Sequence, residues 1–216
     1  MYELRRVLNR ATESELQGLS KLLEIESSSR DAIIDSLRWH SHTLLGHLGH
    51  YVGSEPSYRD IVCQVADKLG LSHGSHQSVK EIEIEIAKKV MKTVWEKMTP
   101  EQRRQMEMEW QKTAKQFDKT GAFAGSASIF AAFMAANLSG FSVYLLATTG
   151  LGALTGVLGI ALPFAAYTAM TSAIAVIIGP VGWIGAGLFA LWALTGPNYK
   201  KLIPAILYIC ALRSQQ

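Results

Sequence analysis

Four of the chain's six histidines, His40, His42, His47 and His50, fall between residues 40 and 50. On a helix, His47 and His50 are neighbours on one face, three residues apart, and His40 lies two turns before His47. Such a group suits a solvated helix face. It also suits a pH-responsive cluster, because imidazoles gain charge between about pH 5 and 8; His47 and His50 are then the candidate sensors. A metal site needs a further carboxylate or cysteine that the neighbourhood does not supply, so no metal is expected. Cys63 and Cys210 show neither CxxC nor Cys/His ligand spacing. They read as small hydrophobes rather than as a disulfide.

No other constellation points to catalysis. The chain has no phosphate-binding glycine loop, nucleophile elbow or HExxH motif. Gly150-Leu151-Gly152-Ala153-Leu154-Thr155-Gly156 contains GxG, but no strand precedes it and no acidic residue follows, so it reads as helix packing. The expectation is a protein that is not an enzyme and carries no cofactor.

The elements that hold these residues are all helices. Thr12 with Glu15, Ser78 with Glu81, and Thr99-Pro100-Glu101-Gln102 are capping-box starts. Leu16, Leu19, Leu22 and Leu23 give the second helix an apolar face. Ser27-Ser28-Ser29 breaks the chain and caps a third helix, predicted from about Arg30 to about Tyr51. A turn at Gly53-Ser54-Glu55-Pro56 precedes a helix capped by Ser57, with Ile61, Val62, Val65, Ala66 and Leu69 buried and Gly70 as its stop. Residues 72–77 form a linker of flexible composition. The helix after Ser78 carries two apolar rows, and its charged residues, Glu85 and Lys89 among them, read as a solvated face. Met106, Met108 and Trp110 are expected to pack in the next helix.

From Gly121 to Tyr199 there is no Asp, Glu, Lys or Arg. All 18 acidic residues precede Gly121, and Lys200, Lys201 and Arg213 account for the formal net charge of +3. The run far exceeds the ~18 apolar residues that mark a membrane-span candidate. Glycines and prolines divide it into segments 122–138, 141–158, 161–178 and 181–195. Each is ~23–27 Å long as a helix, short of a ~30 Å hydrocarbon core. Gly121/Gly125 and Gly152/Gly156 suit close helix packing. Lys119, Trp192, Tyr199, Lys200 and Lys201 stand where membrane-interface anchors would. Lysines at both ends imply two or four crossings. After Gly196-Pro197, a short terminal helix over 202–213 is expected to pack back on the protein.

Three segments follow: an N-terminal helical module (1–28), amphipathic charged helices (29–119) and a hydrophobic, membrane-interacting region with a short C-terminal helix (120–216). The start MYELRRVLNR has no apolar signal region, which predicts cytoplasmic synthesis followed by membrane association or insertion. The near-neutral first half argues against nucleic acid.

Several stretches resemble the YaaW family of bacterial proteins (the UPF0174 group). GHLGHYVGSEPSYRDIVCQVADKLGL is similar to the family's turn between two helices. KEIEIEIAKKVMKTVWEKMTPEQ resembles its glutamate-rich helix, and LIPAILYICALR its Ile-Pro-Ala terminal segment. The chain has Tyr51-Val52-Gly53 where members have a Phe-Gly-Gly turn, and its hydrophobic region is longer and less charged. The resemblance implies a grouping with the ubiquinol-cytochrome c chaperones and no catalytic residues.

The expected fold is all-α, with amphipathic helices packed around the charge-free, Gly/Ala-rich region. The expected function is membrane insertion or pore formation by a protein laid out like a colicin, its apolar hairpin wrapped in water by the charged helices. A membrane-associated assembly factor or chaperone, and a plain integral membrane protein with a cytoplasmic helical domain, are the alternatives. The expected partners are a lipid membrane, a second copy in the membrane, or a hydrophobic client protein.

Overall fold

The computed structural model describes residues 1–42, 55–117, 123, 128–135, 138, 140–158 and 183–216, with backbone only over 116–117, 153–158 and 183–198. Among the described residues every regular element is a helix. In chain order they are α1 (Tyr2–Arg10), α2 (Glu13–Leu23), α3 (Arg30–Ser41), α4 (Tyr58–Lys68), α5 (Val79–Lys97), α6 (Pro100–Phe117), α7 (Ile129–Met134), α8 (Phe141–Leu158) and α9 (Trp183–Ser214).

Side chains at fixed offsets start these helices. Capping boxes form at Thr12/Glu15, Ser57/Asp60 and Ser78/Glu81, where each hydroxyl accepts from a backbone N–H and each carboxylate accepts in return. Gln102 closes the same motif on Thr99. After α4, Gly70 takes φ +70°, a left-handed turn that suits glycine.

Two boundaries differ from the sequence expectation. α3 stops at Ser41, not near Tyr51, and His42 is extended at φ −73°, ψ 137°. The run Trp39-His40-Ser41-His42-Thr43 consists of weak helix formers, and the Ser41 hydroxyl competes with the ladder by donating to the Arg38 carbonyl at 2.7 Å. The chain also does not break at Gly196-Pro197: the terminal segment is the end of a 32-residue helix containing Pro197 and Pro204. Each proline costs about 3 kcal/mol in a helix interior. Against that, Leu202, Ile203, Ile206, Leu207, Ile209 and Leu212 are all buried, and each contributes roughly 1.5–3 kcal/mol. Burial exceeds the proline cost.

That terminal half of α9 is the centre of the molecule. It packs against α8 and α5 most extensively, and also against α1, α2, α3 and α4. α5 is nearly surrounded: Ile82, Ile86, Val90 and Val94 are buried as one row, Ile84, Ala87 and Met91 as the next. Tyr208 of α9 lies against Gly18 of α2, where an added Cβ would come within 2.4 Å of its hydroxyl oxygen. The linker 72–77 is tied down: the Arg59 guanidinium donates to the carbonyls of Gly74, Ser75 and Gln77. Cys63 and Cys210 are free thiols.

Candidate functional site: the seam between the charged and charge-free halves

The charge-free run brings hydroxyls but no charged side chain of its own. Among the described residues the charged helices hold it at two places, and a third tie, through Arg213, holds the end of α9 beyond the run.

The first is its entry. α7 has four N–H groups without intrahelical partners, as every helix start does. Ser128 satisfies one: its hydroxyl accepts from Ala131 at 3.2 Å, while its carbonyl takes the first helical bond, from Ala132 at 3.1 Å. Glu107, on α6, satisfies two more. One carboxylate oxygen accepts from the Ile129 N–H at 2.9 Å, and the other accepts from the Phe130 N–H at 3.2 Å and from the Ser128 hydroxyl. An anion at a helix start also meets the positive end of the helix dipole.

Beside this clasp runs an aromatic seam. Trp95 of α5 stacks on Phe130 of α7, with centroids 4.3 Å apart and planes 6° apart, and on Trp110 of α6 at 5.7 Å. Trp110 meets the edge of Phe133 at 4.9 Å, and the chain continues through Phe123, Phe141 and Tyr144. The outer face of Trp95 lies under the Arg103 guanidinium at 5.7 Å. Each aromatic pair contributes about 0.5–1.5 kcal/mol beyond its burial.

The second place is mid-α8. The Trp110 indole N–H donates to the Thr149 hydroxyl at 3.1 Å, and that hydroxyl donates to the Leu145 carbonyl at 2.7 Å. Trp110, Thr149 and Leu145 are all buried. A buried indole left without its acceptor would cost about 1–3 kcal/mol, so this contact fixes the register of α8 against α6.

The third is the end of α9. Glu83 of α5 is wholly buried, and its carboxylate accepts from Arg213 Nε at 2.9 Å, from Arg213 Nη2 at 3.1 Å and from the Tyr58 hydroxyl at 2.8 Å. Burial pushes the Glu83 carboxyl up, while the charge and hydrogen bonds of Arg213 pull it back. Burial and then the Glu83 charge hold the Tyr58 hydroxyl well above its ordinary value, so it stays a donor. The same two causes raise the Cys210 thiol and keep it inert. Glu83 sits in the helix whose charged residues read as solvated. Its helical neighbours include Lys80 at i−3 beside the apolar Val79, Ile86 and Ala87, so the sequence does not set it apart from the helix's other charged residues. Lys88, on the same helix, is also nearly buried, paired with Glu85 at 3.0 Å.

Two residues expected at a membrane interface make contacts within the protein. The half-buried Tyr199 ring lies 5.7 Å from the Lys68 ammonium. Lys201 pairs with Glu24 at 2.8 Å and reaches the Leu23 carbonyl, closing the C-terminus of α2. Lys200 is exposed. Gly152 is buried in α8, and the glycine that meets both α5 and α9 is Gly150, where a Cβ would lie 3.5 Å from Val90 and 3.6 Å from Leu207. Met106 and Trp110 pack in the core as expected, whereas Met108 is exposed. His47, His50, Lys119, Gly121 and Gly125 lie outside the described residues, as do the surroundings of Gly156 and Trp192. Among the described residues there is no cluster of metal-ligating side chains, and no helix is long and apolar enough to cross a membrane.

No protein-family profile matches the chain, and no solved structure matches it significantly. It is similar to a UPF0174 protein of Helicobacter pylori (strain J99), with 30% identity over 157 residues. The matched part is 72% of this chain and 60% of that relative, so the chain spans less than two thirds of the relative's length. This similarity is in keeping with the resemblance of the glutamate-rich helix and the Ile-Pro-Ala segment to the UPF0174 group.

Proposed function

We propose that this chain is a membrane-interacting helical protein that keeps a charge-free helical region folded away from water until its polar ties to the charged helices are released. The observation that carries the reading is the run without a single charge from Gly121 to Tyr199. Its described beginning packs behind α5 and α6 and is held by Glu107 and Trp110. In water, these ties and the aromatic seam favour the packed form. At a bilayer, lipid replaces the protein as the apolar surroundings, and release of the clasp frees the region to leave the core.

The test is co-sedimentation of the full chain with lipid vesicles, in parallel with Ala175→Asp. A centrally placed Asp costs roughly 2.5–3.5 kcal/mol of insertion free energy. The reading predicts vesicle binding by the parent chain and reduced binding by the variant. A parent chain that stays in the supernatant overturns it. Dye release from the same vesicles distinguishes pore formation from anchoring. Permanent membrane residence in cells, with no soluble pool, would favour an anchored assembly factor over an inserting protein.

A further inference from the structure

A cleft of ≈ 200 Å³ lies between α1 and the end of α9, lined by Glu3, Arg6, Val7, Arg10, Arg213 and Gln216. The spacing of Glu3, Arg6, Val7 and Arg10 puts them along one side of α1. The Gln216 side-chain amide donates to the Val7 carbonyl at 3.1 Å and ties the end of the chain to α1. The guanidinium of Arg213 is fixed from behind: Nε and Nη2 are committed to Glu83, and its side chain keeps 17% exposure. Arg6 and Arg10 are exposed, and neither makes an ion pair among the described residues. Three arginines thus line one small volume, together with the acidic Glu3 and the last residue, Gln216.

We propose that this cleft binds a phosphate-bearing anion. Planar guanidiniums present forked N–H donors that match the oxygens of a phosphate group, and the volume admits a phosphate with a small substituent. Arg213, held by a buried carboxylate, is the pre-oriented donor, and Arg6 and Arg10 close on the ligand from α1. Glu3 opposes an anion and sets a limit on affinity. A free phosphate compound and a lipid headgroup offer this same chemistry.

The experiment titrates the full chain calorimetrically with inorganic phosphate at low ionic strength. It also measures binding to phosphatidylcholine vesicles with and without phosphatidic acid. The variants are Arg6→Gln/Arg10→Gln and Glu3→Gln, all exposed side chains. Saturable phosphate binding is expected, weakened about tenfold or more in the double arginine variant, which loses two charge-assisted donors, and tightened in Glu3→Gln. The opposite signs separate a site from a folding defect. Binding confined to phosphatidic acid vesicles, and lost in the arginine variant, supports the cleft and identifies a headgroup as the source. Absence of binding to both probes, or equal binding by parent and arginine variant, overturns the proposal. The phosphate titration involves no bilayer, so its outcome is independent of the membrane reading.

Discussion

The charged helices and the charge-free region reach the same secondary structure by different means. α2, α4, α5 and α6 each begin with a hydroxyl and an acid or amide three residues on, so their ends are determined locally. α8 has no acidic residue in its first turn and no basic residue in its last. α7 contributes Ser128 alone and takes the rest of its cap from Glu107, 22 residues earlier in the chain. α9 brings a charged anchor of its own only beyond the charge-free run, where Arg213 is fastened to Glu83, 130 residues away. A segment rid of charge can enter an apolar phase, but it must then borrow its polar anchors. Borrowed anchors can be released without unfolding the helices that lend them.

The largest test of this asymmetry is the buried pair. Arg213→Met leaves Glu83 without its counter-charge, and breaking such a pair costs about 3–5 kcal/mol. The midpoint of chemical denaturation should fall accordingly at pH 7.5. Without Arg213 the Glu83 carboxyl rises further above its ordinary value. A raised folded value means the group favours the folded state at low pH and loses that contribution as pH rises through the folded value. The variant's deficit should therefore shrink at pH 5. The double variant Glu83→Met/Arg213→Met should recover much of the loss. A deficit independent of pH would mean that Arg213 acts by packing alone.

Gly18→Ala drives a Cβ against the Tyr208 hydroxyl on the buried face of α9. Overpacking of this kind costs about 1–3 kcal/mol, read as a lower melting temperature. An unchanged melting temperature would mean that the α2–α9 contact yields easily. Glu107→Ala orphans the Ile129 and Phe130 N–H groups for a similar or smaller loss, about 1–3 kcal/mol. Its distinguishing signature is functional: it should bind vesicles more than the parent does, whereas Gly18→Ala at matched stability should not. Equal binding by the two would remove Glu107 from the release step.

The smallest effect concerns the local caps. Hydrogen bonds from Ser57 hold the Asp60 carboxyl below its ordinary value, and those from Ser78 do the same for Glu81. Depressed values contribute stability above the unfolded value and lose it as pH falls through the folded one. Asp60→Asn/Glu81→Gln should therefore lose a little stability at pH 7 and flatten the decline below about pH 4. Vesicle binding should not change, because these caps lie wholly within the charged helices.

What could be read in the sequence follows the same division. The starts of α2, α4, α5 and α6, and the start of α8 at 141, lie where the capping residues and Gly140 put them. Those signals are local. Glu83 was hidden because its partners, Tyr58 and Arg213, are distant in the chain and its i±1 neighbours are apolar whether it is buried or not. Glu107 reads as one more charged residue of an exposed helix until α7 folds across it. Gly196-Pro197 reads as a break because the burial that holds α9 together comes from six other helices and cannot be summed locally. The all-α class was legible throughout, and the ties that join the two halves were not.

The central claim is that the charge-free region exchanges the protein core for lipid. A photoactivatable group at the end of a phospholipid acyl chain, followed by peptide mapping of the full chain bound to vesicles, tests it directly. The account predicts labelling within 121–199 and none on α5 or α6. Labels on the amphipathic helices, with 141–158 unlabelled, would contradict it.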